Sequence, residues 1–223
     1  MNTQIDTIDN QYLIEGIGEF ALSFVPVVGN ALSAISSYHN KKALDYVEEV
    51  LVDVQNKIER LGEKLDREYM KTEDYLNFVH KTILKAANDL RNEKLHLFSN
   101  IIVNSALKGN ASAENGKKYL YAETIDKIDE YLFDFLLKIS ERSLNGMGLE
   151  AKGWSGNDDE LNLLKVDSKT FQFNAEYLLG VGVMIRLPKF ELEEDTGTLT
   201  FHEEYFITQY GKEFVEYVKE QVI

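Results

Sequence analysis

The chain has 223 residues, with 24 Lys+Arg against 38 Asp+Glu and a formal net charge of −14. A chain of this length can bury a core without covalent staples, and 44% hydrophobic with 28% charged residues excludes wholesale disorder. The charge repels polyanions, which argues against nucleic acid as a partner, and the absence of cysteine excludes disulfides, thiolate metal sites and thiol nucleophiles.

The opening MNTQIDTIDNQ lacks the cationic region of a signal peptide, so a cytoplasmic location is expected. From Phe20 to Tyr38 the chain carries no formal charge, but Pro26 and Gly29-Asn30 interrupt the run. Residues 12–38 therefore predict a hydrophobic hairpin of two short helical arms, each too short to cross a bilayer alone. Three uses are open for it: a core element, a docking or self-association surface, or a membrane-active hairpin. Leu44, Val47, Leu51, Val54, Ile58, Leu61 and Leu65 then recur at 3,4 spacing, a heptad seam of about three repeats. They predict one long helix over 40–67 with Gly62 inside it. The seam is either a self-association surface or the inner face of a bundle.

Thr72 followed by Glu73 and Asp74 reads as a capped helix start. The apolar stripe runs from Tyr75 to Leu90 and resumes from Leu95 to Ala106. Lys108-Gly109-Asn110 gives a stop, and 108–118 reads as a surface loop. A further helix is expected over 120–144, burying Ile125, Ile128, Leu132, Phe135, Leu136 and Ile139. Glycines 146, 148, 153 and 156 mark 146–159 as a linker between domains or as a functional loop. Trp154, the only tryptophan, stands there either as a binding anchor or as a tether into the core.

Ser168 is expected to cap a helix that runs to Leu179 and stops at Gly180. VGVMIRLPKFELE and TLTFHEEYFIT flank Asp195-Thr196-Gly197 and read as a hairpin. Thr208 caps a last helix with Tyr210, Phe214, Val215 and Val218 on its inner side. The expected fold is mainly α: a helical bundle with a long heptad-patterned helix (1–145), the linker (146–159), and a small α+β winged-helix-like unit (160–223).

Residues 160–223 hold 6 Lys+Arg against 12 Asp+Glu, so phosphate contacts, the main source of DNA affinity, are scarce. The four histidines, His39, His80, His96 and His202, form no His-x-x-x-His pair, and no phosphate-loop or Gly-x-Ser-x-Gly motif occurs. No catalytic residue, metal ligand or cofactor is therefore expected. A partner or self-association surface is expected at Phe24, Val27, Val28, Leu32, Leu51, Ile58 and Trp154.

The PVVG turn, LDREYMKTEDYLNFV, EKLHLFSNIIVNSAL, LLGVGVM and YFITQYGKEFVEYV together resemble bacterial and prophage-borne helical proteins of the abortive-infection alpha type. The ending Ile207-Thr208-x-x-Gly211-x-x-Phe214 is similar to the winged-helix terminus of that group. The resemblance implies a role in anti-phage defence or its control, without an established catalytic residue. The expected function is a non-enzymatic interaction protein that binds a protein partner or itself. A pore-forming membrane effector and a transcriptional regulator are the alternatives.

Overall fold

The computed structural model describes residues 41–110, 116–143, 153–192 and 197–219. The expected hairpin over 12–38, with Phe24, Val27, Val28 and Leu32, lies outside the described residues. The chain is mainly helical and closes with a two-stranded antiparallel sheet. It divides into two compact units, one over 1–126 joined by 218–223, the other over 127–217. Asp126 and Lys127 thus fall in different units, and the described part of the glycine-rich stretch, 153–159, belongs to the second.

The first unit is built on α1 (Lys41–Leu61), α2 (Glu73–Asp89), α3 (Leu95–Asn104) and α4 (Lys117–Lys127). α1 packs on α2 and α3, and α2 packs on α3. The inner side of α1 is Val47, Val50, Leu51, Val54, Ile58 and Leu61. α1 ends at Leu61, short of the expected 67, because Gly62 takes a left-handed φ of +51° that an α-helix cannot accept. Leu65 then pairs with Leu107: Asp66 N donates to Ala106 O at 2.8 Å and Lys108 N to Lys64 O at 3.0 Å. Thr72 caps α2 through its hydroxyl, which accepts from Tyr75 N at 3.3 Å. Leu90, also left-handed at φ 56°, separates α2 from the helical stretch that follows.

Buried lysines organise this unit. Lys94 is fully buried; its Nζ donates to Asp89 Oδ2 at 2.6 Å and to the Ile125 and Asp126 carbonyls at 2.8 Å each. It thereby satisfies last-turn carbonyls that α4 cannot satisfy itself. Burial pushes the Lys94 ammonium pKa down, and Asp89 opposes that only in part. Lys118 bridges to Asp74 and Tyr69 and lies 5.2–5.4 Å from the ring centres of Tyr69, Phe78 and Tyr119.

The second unit holds α5 (Glu130–Ser143), α6 (Asp158–Leu164), α7 (Ser168–Val181), β1 (Met184–Leu192), β2 (Leu199–Ile207) and α8 (Gln209–Val218). The single helix expected over 120–144 is two helices, α4 and α5. Asp129 interrupts it by accepting from Leu132 N at 2.8 Å, an N-cap for α5. α6 is not among the expected elements, and only its first two residues fall in the expected linker 146–159; Asn157 caps it and Asp158, Asp159 and Glu160 fill its first turn. α7 is capped by Asp167 rather than Ser168, runs through Gly180, and stops at Gly182 (φ 88°). α5 packs on α7 and β2, and α7 on β1. Phe135, Phe171, Tyr205, Phe133 and Phe214 are buried in this unit, with ring centres 5.9 Å apart for Phe135–Phe171, 5.8 Å for Phe171–Tyr205 and 6.0 Å for Phe133–Phe214.

Thr208 caps α8, its hydroxyl accepting from Gly211 N at 2.9 Å. A side chain at position 211 would stand on the Val183 carbonyl oxygen and on Ile207, so only glycine fits. A Cβ at Gly180 meets nothing within 4 Å. Gly211→Ala is therefore expected to lower the urea midpoint by an amount worth about 1–3 kcal/mol. Gly180→Ala should leave it unchanged or raise it by up to about 1 kcal/mol.

Candidate interaction surface

The hairpin has a buried base and an exposed tip. At the base, Met184 pairs with Ile207 and both are buried with Tyr205. Glu176 of α7 accepts from Arg186 Nη1 at 2.7 Å and from the Tyr205 hydroxyl at 2.8 Å, clamping β1 and β2 to the helix. On the outer edge of β2, Trp154 N donates to Tyr205 O at 2.9 Å and Tyr205 N to Trp154 O at 2.8 Å. Glu160, itself buried, holds the same loop: its Oε2 accepts from Ser155 N at 2.8 Å and Gly156 N at 2.9 Å. A Cβ at Gly153 would collide with Glu204 and Phe206, so this strand-like residue must be glycine for the loop to lie so close.

Beyond the base, residues alternate between two faces. The face that begins with Met184 and Arg186 continues through Phe190 and Leu192, opposite Phe201 and Leu199. These four side chains are 62%, 64%, 59% and 63% exposed, respectively. Together they present on the order of 500 Å² of apolar surface, in the range of the largest patch on an ordinary monomer, which is often functional. The Phe190 and Phe201 rings already meet at 5.4 Å. Phe173 on α7 is 69% exposed as well. The opposite face is mixed: Ile185 and Leu187 are exposed there too, and Lys189 reaches Glu191 at 2.9 Å and Glu204 at 2.8 Å. Hydrogen bonds that Lys189 donates to Glu204 and Glu191 raise its pKa, and Lys189 in turn holds Glu191 below the usual carboxylate range. Among the described residues, no strand pairs with the outer edge of β1.

A second cluster joins serine, histidine, aspartate and lysine in the first unit. Asp53 accepts from Lys57 Nζ at 2.5 Å, from the Ser99 hydroxyl, and lies 3.0 Å from His96 Nδ1. Lys57 Nζ also donates to Ser99 Oγ at 2.6 Å. The residue types suggest nucleophilic chemistry, but Ser99 is fully buried and its hydroxyl is committed to Asp53, so no substrate carbonyl can reach it. The cluster is a clasp between α1 and α3. Burial would push the Asp53 pKa up, but hydrogen bonds from Lys57, Ser99 and His96 outweigh it and hold the carboxyl below its ordinary 3.8. Beside it, Asp45, Glu48, Glu49 and Val52 line a shallow acidic groove.

Of the residues expected to form a partner surface, Leu51 and Ile58 face into the first unit's core and are 7% and 1% exposed. Trp154 is fully buried in the second unit. In this fold all three are packing residues, not surface. The exposed quartet at the hairpin tip was read only as strand. Its signal was present in the apolar pairs 190/192 and 199/201, mirrored across the turn. Among the described residues, no helix is long and apolar enough to cross a membrane, and no group of three or more His, Asp or Glu is arranged to hold a metal.

Comparison with protein-family models, curated proteins and solved structures finds no match to this chain.

Asp53→Asn leaves the buried Lys57 without its carboxylate and should cost about 2–3 kcal/mol at neutral pH. Because the folded pKa of Asp53 is depressed, its contribution is present above 3.8 and is lost as pH falls through the folded value. Urea titrations of both proteins should thus differ at neutral pH and converge in acid.

Proposed function

We propose that this is a non-enzymatic interaction protein whose C-terminal unit is a winged helix adapted to dock protein rather than DNA. The observation that carries the reading is the apolar hairpin tip, with Phe190, Leu192, Leu199 and Phe201 each about 60% exposed on an acidic unit. The order α5, Trp154 bridge, α6, α7, β1, β2 is compatible with a winged helix in which β1 and β2 would be the wing, with α8 following it. In such units the helix before the wing reads the major groove. Here that helix is α7, which offers one lysine, Lys169, while its Glu176 adds negative charge. With so few cations to release counterions from phosphates, affinity for DNA has little source. Exposed apolar side chains, by contrast, gain from burial against another protein.

The layout likeness to abortive-infection alpha-type proteins sets the context of the proposal: anti-phage defence or its control. The long-range contacts would be made by protein surfaces, with no reaction catalysed by this chain.

Fluorescence anisotropy with labelled duplex DNA at about 50 mM salt, where electrostatic binding is strongest, tests the reading. No binding is expected. Binding that weakens steeply as salt rises would contradict it and favour a transcriptional regulator.

A further inference from the structure

We infer that the outer edge of β1 pairs with the same edge of a second copy of this chain, antiparallel and centred on Phe190. This deepens the protein-docking reading by naming the occupant of the hairpin.

The hydrogen-bonding parity of the hairpin limits the choices. Thr208 N donates to Val183 O at 3.0 Å, so the opposed residues 183 and 208 are a hydrogen-bonded pair. The pattern alternates along the ladder. Residues 185, 187, 189 and 191 spend their amides on β2, and Arg186, Pro188, Phe190 and Leu192 direct their backbone groups outward. The double bond between Tyr205 and Trp154 obeys the same parity, because Tyr205 stands opposite Arg186. Pro188, which has no N–H, occupies one of the outward positions, where its loss costs β2 nothing.

A two-fold axis at Lys189 would oppose Lys189 to its own copy, and one at Glu191 would oppose two carboxylates; both juxtapose like charges. An axis at Pro188 would oppose two residues without donors. The axis at Phe190 avoids these conflicts. Phe190 exchanges two bonds with its copy, and each Leu192 N–H finds the other copy's Pro188 carbonyl. Lys189 comes opposite the second copy's Glu191, and Glu191 opposite its Lys189, on one face. On the other face the two Phe190 rings meet between the two Phe201 rings. Only the tips overlap, so α7 and the base of each hairpin lie clear of the axis.

The contact is small: pairing edge to edge covers the strand edges and the two Phe190 side chains and leaves Leu199 and Phe201 of both copies open, so it falls below the ~1,000 Å² of a standard specific interface and belongs to the weak class. The expected dimer is therefore reversible and concentration-dependent.

The chain has no cysteine, so single-cysteine variants report register directly. Opposed hydrogen-bonded residues have Cα atoms about 5.5 Å apart, within disulfide reach. Under mild oxidation Phe190→Cys is expected to cross-link to itself. In the same register, position 192 lies about 13 Å from its copy and position 187 about 20 Å, at about 3.3 Å per residue. Leu192→Cys and Leu187→Cys should therefore give roughly tenfold less cross-linked dimer. Sedimentation of the wild-type chain should shift from one copy to two as concentration rises. A wild-type chain that stays monomeric at every concentration overturns the inference. So does a dimer in which F190C cross-links no better than L192C or L187C. Neither outcome touches the docking reading, which fails only if the DNA experiment binds.

Discussion

The main-chain pairing of Trp154 with Tyr205 governs the second unit. Two bonds of 2.8–2.9 Å fasten a loop to the edge of β2 and carry the tryptophan ring into the core. Glu160 supports the pairing by accepting the amides of Ser155 and Gly156. The same glutamate donates its own amide to Asn157 at 3.0 Å, so the loop and the start of α6 form one capped structure. With its base fixed in this way, and with Glu176 holding Arg186 and Tyr205, the hairpin can project its outer half into solvent without losing register. A rigid base and an uncovered apolar tip follow from the same set of bonds. On the proposed reading the tip is a surface for recognition rather than an unfinished core.

The first unit solves a different problem. Its chain turns at Gly62 and Leu90 between helices, and three of its lysines, Lys57, Lys94 and Lys118, are 5% exposed or less. Each is matched to a carboxylate: Asp53, Asp89 and Asp74. Pairs of this kind add little net stability over apolar packing, but removing one partner is costly. They fix which helix lies against which. Lys94 selects the carbonyl end of α4, and Lys57 reaches Ser99 on α3. Leu51 and Ile58 sit within this arrangement, which explains why a seam with coiled-coil spacing is spent inside the unit.

Much of the architecture was legible in the residues. Thr72 and Thr208 start helices by side-chain capping, a local effect that short sequence windows contain. The hairpin is legible from β-rich runs about a turn. The errors were also local in origin. Gly62 and Leu90 adopt left-handed backbone that periodicity does not signal, and Asp129 caps α5 within an unbroken apolar pattern. Asn157-Asp158-Asp159-Glu160 is a strong capping sequence, but the surrounding glycines masked it. The clasp at Asp53 was hidden for another reason: its members are separated by up to 46 residues, and no short motif encodes their meeting. The exposed tip was missed because alternation tells which side chains share a face, not whether that face is covered.

Amide hydrogen exchange on a dilute sample tests most directly the claim of a locked base beneath an open tip. The account predicts slow exchange at Trp154, Tyr205 and Thr208, whose amides are bonded within the unit. It predicts fast exchange at the outward amides of Phe190 and Leu192. Fast exchange at Trp154 and Tyr205, equal to that of the tip, would contradict it.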